Sequence, residues 1–309
     1  MWAAVLAGAA PALTCAQAYP NKTIRLVTVA PGSANDLAAR LVAQEMKGAL
    51  GQSVVVDNRG GIASEIVARA PADGYTILLY GSAVWLAPFL QSGEAGQHLK
   101  DLTPITLVAS SPNVLVVHPS LPVKSPSELI ALAKRRPGQL NYAAGSLGAA
   151  PHLASELFNA MAGLNIVRVP YKGTGPSMIG LMGGEVELMF PTAGSAWPHV
   201  KSGKMKALAV TSLKPSALTP GLPALSASLP GYESVSLNGM FAPARTSPAV
   251  IALLNQEIVK ILTRADSKER LFNAGMDAVV TTPEEFGAII KSEMTKWGKV
   301  IRDAGIRAE

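Results

Sequence analysis

Short β-rich runs alternate with amphipathic stretches along most of the chain. Ile24-Arg25-Leu26-Val27-Thr28-Val29 is apolar but for two residues and reads as a buried strand. From Asn35 to Leu50, Ala38, Leu41, Val42, Met46, Ala49 and Leu50 recur at helical spacing, with Arg40, Gln44 and Lys47 on the wet side, and Gly51 stops the helix. Val54-Val55-Val56 predicts the next strand, Ser64 to Ala70 a short helix and Thr76 to Leu79 a third strand. This β-α-β-α-β rhythm predicts a mostly parallel sheet with helices on both faces.

The rhythm then restarts. Ile105 to Ala109 and Val114 to Val117 are predicted strands, separated by Ser110-Ser111-Pro112-Asn113. Ser125 to Arg136 is a helix, with Ser125 as cap, Pro126 in the first turn and Glu128 three residues after the cap. Strands follow at Leu140 to Ala143, Ile166 to Val169, Leu188 to Phe190 and Ala207 to Thr211, and helices at His152 to Ala162 and Pro176 to Met182. Lys214 to Tyr232 is rich in Pro, Ser and Ala and reads as a long crossover loop. Two helices close the chain: one from Ser247-Pro248 with Val250, Leu254, Ile258, Ile261 and Leu262 on one side, the other from Thr282-Pro283-Glu284-Glu285 with Phe286, Ile289, Ile290, Met294, Trp297 and Ile301. They need a sheet to cover, and the natural one is the first. The expected division is therefore residues 19–117 plus 236–309 in lobe 1 and 118–235 in lobe 2, with two chain crossings as a hinge.

Composition adds an export signal. MWAAVLAGAAPALTCAQA, residues 1–18, holds no Asp, Glu, Lys or Arg, and Ala16-Gln17-Ala18 fits a small-x-small cleavage site. The segment lacks a basic start but is too short to span a bilayer comfortably, so it reads as a signal peptide with the mature chain starting at Tyr19. The single cysteine, Cys15, falls inside it. A mature chain without thiols has no disulfide, cysteine nucleophile or metal thiolate. The net charge of +6 is spread along the chain, with no basic patch interleaved with aromatics. That argues for anionic small molecules and against nucleic acid.

Two glycine-rich turns lie between a strand and a helix: Ala30-Pro31-Gly32-Ser33-Ala34-Asn35-Asp36 and Ala144-Gly145-Ser146-Leu147-Gly148-Ala149-Ala150-Pro151-His152. Such turns bring free backbone N–H groups and the positive end of a helix to one point, which suits an anion. In open α/β sheets these turns lie at the carboxyl ends of the strands, where ligands bind. A plain strand-to-helix connection needs the same residue types, so the weight rests on there being one in each lobe.

The segments YPNKTIRLVTVAPGSANDLAARLVAQ, ADGYTILLYGS, QLNYAAGSLGAAPHLASELF, NIVRVPYKGTGPS and KWGKVIRDAGI resemble the substrate-binding receptors of tripartite tricarboxylate transporters, the Bug family. The resemblance implies a two-lobed α/β periplasmic binding protein of type II-like form, with a hinge between two mixed or parallel sheets flanked by helices. It implies a monomer without a cofactor, a small carboxylate ligand, and the membrane permease subunits of a tripartite transporter as partners. Carried over, the first turn supplies Ser33, Ala34, Asn35 and Asp36, and the second Gly145, Ser146, Gly148, Ala149 and His152. Ser82 would face the same cleft, with Tyr171, Lys172 and Gly173 near its floor and Thr192 opposite. The chain departs from the family at Ser33, in the short Gly60-Gly61-Ile62 loop, at Pro191 and at Leu237, which bears on which carboxylate fits.

Other functions find less support in the residues. There is no G-x-S-x-G elbow and no H-E-x-x-H pair, and in Lys172-Gly173-Thr174-Gly175 the lysine precedes the glycines, unlike a phosphate loop. His152 and Glu156 are spaced for a metal pair, although His152 at a helix start reads better as a cap or loop support. A hydrolytic enzyme and a ligand-sensing module for a signalling partner remain the alternatives to a transport receptor.

Overall fold

The computed structural model describes residues 19–29, 31–90, 98–145, 147–303 and 306. The expected signal peptide, with Cys15, and the expected ligand residue Ser146 lie outside the described residues. The opening rhythm folds as β1 (Ile24–Thr28), α1 (Ala34–Leu50), β2 (Val54–Asn58), α2 (Ala63–Ala68) and β3 (Thr76–Tyr80). β1 pairs in parallel with both β2 and β3. Ser33 caps α1 by accepting the Asp36 N–H, and Gly51 ends it at φ 65, a left-handed conformation that glycine adopts without penalty.

Next come α3 (Ala83–Leu90), β4 (Leu102–Pro112), β5 (Val114–Val117), α4 (Pro126–Arg135), β6 (Asn141–Ala144), α5 (Ala150–Ala162), β7 (Val167–Pro170), α6 (Thr174–Met182), β8 (Leu188–Met189), α7 (Ala193–Lys201) and β9 (Lys206–Val210). β10 (Val235–Pro243), α8 (Pro248–Thr263), α9 (Ala265–Asn273), β11 (Asp277–Ala278) and α10 (Pro283–Asp303) complete the chain. One sheet has the order β11-β4-β10-β3-β1-β2, the other β7-β6-β8-β5-β9.

Both sheets are mixed, which corrects the expectation of a mostly parallel first sheet. β10 enters its centre antiparallel to β3 and β4. In the second sheet β6 runs parallel to β7 and β8, while β5 opposes β8 and β9. The expected boundary at 117 does not follow the sheets either. β5 pairs only with second-sheet strands, so the chain changes sheet at Asn113, between β4 and β5. The Asn113 N–H donates to Thr211 Oγ1 at 2.7 Å and its amide nitrogen to the Ala150 carbonyl at 3.2 Å, which fixes the crossing.

The terminal helices cover the first sheet. Ile251, Leu254, Ile258, Ile261 and Leu262 of α8 are buried, and Phe286, Ile290, Trp297 and Ile301 of α10 are buried against α3 and β4. Thr282 and Glu285 form a reciprocal capping box at the head of α10, with N–H···O distances of 2.8 and 3.1 Å. One apolar cluster joins the two sheets, running from Trp85, Phe241 and Phe286 to Phe158, Phe190 and Tyr232. The halves also meet backbone to backbone. A Cβ on Gly194, in α7, would lie 2.0 Å from the carbonyl oxygen of Ala274, in the turn between α9 and β11.

Candidate functional site

A cavity of about 420 Å³ lies between the halves. Its walls are the turns that leave the carboxyl ends of the strands. The first half contributes Gly32 to Asn35 after β1, Gly60 and Gly61 after β2, and Gly81 to Ala83 after β3. The second half contributes Gly145 and Ala149 to Pro151 after β6, Lys172 to Pro176 after β7, and Thr192 and Ser195 after β8. Ser236 and Asn238, on β10, also line it.

These walls are helix beginnings. The first residues of α1, α3, α5 and α6, and the cap residue of α7, all line the one cavity. The opening N–H groups of a helix have no acceptor within it, and each helix start carries a partial positive charge. Five such starts, from both halves, therefore bring positive potential to a common space, although Pro151 and Pro176 leave the first turns of α5 and α6 each short of one N–H. Lys172 is the one charged side chain among the described residues that line it. A space of this kind suits an anion, and no described lining residue carries a carboxylate that would repel one.

Of the residues expected on sequence, Ser33, Ala34, Asn35, Ser82, Gly145, Ala149, Lys172, Gly173 and Thr192 come together on this cavity. Asp36, Gly148, His152 and Tyr171 do not line it, and each has another place. Asp36 is buried under the first turn, where it accepts the Gly32 N–H at 3.0 Å and the Asn58 amide at 2.8 Å and pairs with Arg40 at 3.1 Å. Burial alone would push its pKa up, but the donors from Asn58, Gly32 and Arg40 outweigh burial and hold it below the ordinary range. The carboxylate stays ionised and fully engaged, shaping the turn.

His152 supports the second turn in a comparable way. It is buried, and its Nδ1 accepts the Gly148 N–H at 3.2 Å. Burial, assisted by the nearby Arg168 cation, pushes its pKa down to about 3, so the imidazole is neutral and remains an acceptor. Arg168 donates to the Gly145 carbonyl at 3.1 Å, and the Tyr142 hydroxyl donates to Glu156. His152 and Glu156 are thus each taken up by a protein partner. Gly148, at φ 73, accepts from Ser82 Oγ at 3.3 Å, which ties the turn after β3 to the opposite half. A Cβ there would strike Leu90 at 2.2 Å. Tyr171 turns outward, donating to Glu185 at 2.9 Å with its ring against Gly180.

Sequence reasoning missed Ser195, Ser236 and Asn238. The Thr192 and Ser195 hydroxyls are 3.0 Å apart at the start of α7, a helix whose short sequence with Pro198 inside shows little periodicity. The other two lie on β10, where Asn238-Gly239 imitates a turn dipeptide.

The family described as "Tripartite tricarboxylate transporter family receptor" matches residues 38–306. Protein BugT of Bordetella pertussis is 34% identical over 94% of this chain and 92% of its own. The R. palustris protein Rpa4515, solved with adipate, is 34% identical with a TM-score of 0.89, over 94% of this chain and 100% of its own. The periplasmic binding protein BugD is 32% identical with a TM-score of 0.86, again over 94% and 100% of the two chains. Among the described residues no helix is long and apolar enough to cross a membrane. With its mixed sheets, its cleft of helix starts and a family match across most of its length, the chain belongs to the tripartite tricarboxylate transporter receptors, as a solute-binding protein and not an enzyme.

Proposed function

We propose that this receptor holds a small carboxylate in the cleft between its halves and delivers it to membrane permease subunits. It would act as a monomer in the periplasm after removal of residues 1–18. The observation that carries this reading is the meeting of five helix starts, from both halves, on one cavity whose described lining includes no acidic side chain. Ser33, Ala34, Asn35, Ser82, Gly145, Ala149, Gly173 and Thr192 would supply main-chain and hydroxyl donors, with Ser146 in the same turn and Lys172 at the rim. The adipate held by Rpa4515 is a ligand of the proposed class.

The energetics suffice without a buried arginine. A hydrogen bond to a charged group contributes roughly 1.5–3 kcal/mol, so four would give on the order of 6–12 kcal/mol gross. Association and ordering return several kcal/mol of this, while apolar burial adds to it. Micromolar affinity needs about 8 kcal/mol net.

A thermal-shift screen of the mature protein against mono-, di- and tricarboxylates, aromatic acids and acidic amino acids tests the proposal. At least one class should raise the melting temperature in proportion to the logarithm of its concentration, with the added compound recovered unchanged. No shift from any class, or steady conversion of the compound, would sink it. N-terminal sequencing of exported material should return Tyr19 as the first residue.

A further inference from the structure

Tyr80 ends β3, where the strand runs out into the turn Gly81 to Ala83. Strand alternation sends Ile77 and Leu79 to the apolar cluster under α1 and α8, and Leu78 and Tyr80 to the opposite face, in the cluster that joins the two sheets. The ring is thus held by packing. Tyr80 is only 8% exposed, and it lines the cavity. Its hydroxyl has no hydrogen-bond partner among the described residues. Burial alone pushes its pKa up, with no bonded or charged neighbour contributing, so the phenol is neutral and both donates and accepts. Nor is the oxygen sealed in. Among the described residues, the buried side-chain atoms that are sealed and unpaired include those of Trp85, Asn238 and Thr246, and the Tyr80 hydroxyl is not one of them. An unpaired, unsealed hydroxyl on a buried residue of the cavity wall opens to that cavity.

At about 420 Å³ the cavity has room for a whole small molecule and not just one carboxylate. A carboxylate accepts at about four lone-pair sites, which the N–H groups of the helix starts can fill. Tyr80 belongs to a strand instead, with Ser236 and Asn238 of the paired strand β10 beside it on the cavity lining. The phenol is therefore left for another group of the same guest. Resting on the carboxylate reading above, we infer that Tyr80 is a specificity-determining residue whose hydroxyl bonds a second oxygen of the ligand, so that the receptor prefers acids with a hydroxyl or a second carboxylate on the carbon chain to plain alkanoic acids. A plain alkanoate displaces water from the phenol and gives it no partner, which is costly. A site built to bond such a group discriminates strongly against the analogue that lacks it.

Calorimetric titration with two matched series decides the matter: butanoate, 2-hydroxybutanoate, 4-hydroxybutanoate and succinate, then hexanoate, 2-hydroxyhexanoate, 6-hydroxyhexanoate and adipate. In at least one series an oxygenated member should bind at least about tenfold more tightly than the plain acid, and the member that wins locates the second oxygen. Tyr80→Phe keeps the ring and removes only the hydroxyl. In this variant the preferred member should lose about five- to tenfold, while the plain acid changes less than about twofold. The unliganded variant should melt no lower than wild type, since its hydroxyl has no protein partner to lose. Equal affinity across each wild-type series, or a Tyr80→Phe protein that keeps the preference, overturns the inference and leaves the carboxylate reading standing. A variant that melts lower and loses all members alike overturns it too, because the hydroxyl then serves the fold. Binding of no member of either series removes both. The wild-type comparison decides even if the variant fails to fold.

Discussion

Replacing Gly194 with alanine tests the backbone contact between the halves. Gly194 is the second residue of α7, and its neighbours across the interface are main-chain atoms. A Cβ would stand 2.0 Å from the Ala274 oxygen, 3.0 Å from the Ala274 carbon and 3.2 Å from the Gly275 Cα. From the other side, a Cβ on Gly275 would lie 2.1 Å from the Gly194 Cα. No side chain can rotate away, so the halves must part by about 1 Å or more before ordinary carbon–oxygen contact is restored. Overpacking of this kind costs about 1–3 kcal/mol, and the gain of alanine over glycine in a helix, up to about 1 kcal/mol, offsets part of it. A net loss of about 1–2 kcal/mol should appear in urea unfolding. The same displacement moves Thr192 and Ser195, which flank Gly194 and line the cavity. Stretching N–H···O contacts from about 2.9 Å by that amount removes them, so carboxylate affinity should fall at least about tenfold. Gly48→Ala is the matched control. Gly48 lies inside α1, exposed and with nothing within 4 Å of its Cβ position, so this change should stabilise by about 0.5–1 kcal/mol and leave binding alone. If Gly194→Ala shares both the unfolding midpoint and the affinity of wild type, the close approach described here is wrong.

The neutral His152 makes a pH prediction. In the unfolded chain it titrates near 6.5 and in the fold near 3, so between those values the unfolded state binds more protons and stability falls as the pH drops. His152→Asn, which retains an acceptor for the Gly148 N–H, should flatten that fall by up to about 1.4 kcal/mol per pH unit; urea midpoints at pH 7 and 5 that change equally in both proteins would refute it. Lys172→Ala should weaken carboxylate binding about two- to fivefold at low salt, the contribution of one exposed charge, and the difference should vanish in about 1 M salt. Titrations at both salt concentrations check this, and no difference at low salt would remove Lys172 from the site.

Much of the fold could be read from residues whose local signals agree with their final setting. α1 with Ser33 and Gly51, α4 with Ser125 and α10 with its Thr282–Glu285 box all carry caps and apolar stripes together. The elements that escaped lack such agreement. α3 is apolar on every side, with Trp85 and Leu86 fully buried, so it shows no period. In β10 the Asn238-Gly239 pair reads as a turn but forms a bulge, because a central strand with Phe286 behind it overrides local preference. The sheet change at Asn113 was hidden because β4 and β5 are both apolar strands, and only pairing tells them apart. At the site, the two glycine-rich turns were legible as neighbours, and residues of both line the one cavity. The sequence did not show which side chains face the ligand space. Asp36 and His152 face away because each answers an N–H of its own turn, Gly32 in one case and Gly148 in the other. For Asp36 the Ser33-x-x-Asp36 spacing was a readable hint of that inward role.

This division of labour bears on how such a receptor can both hold and release an anion. The charged groups near the turns are spent on the turns themselves: Asp36 on Gly32 and Arg40, Arg168 on the Gly145 carbonyl. Glycine, alanine and proline make up much of the cavity lining, divided between the starts of α1 and α3 on one side and of α5, α6 and α7 on the other. The field of a helix start fades within about a turn, so each half alone presents an incomplete and weak site, and strength comes from bringing the two sets within hydrogen-bonding distance of one guest. A buried arginine on either half would keep its anion after the halves part. On the proposed reading, donors shared across the interface would lose their joint hold once contacts such as Ser82 to Gly148 are broken, so separation of the halves would itself be the release step.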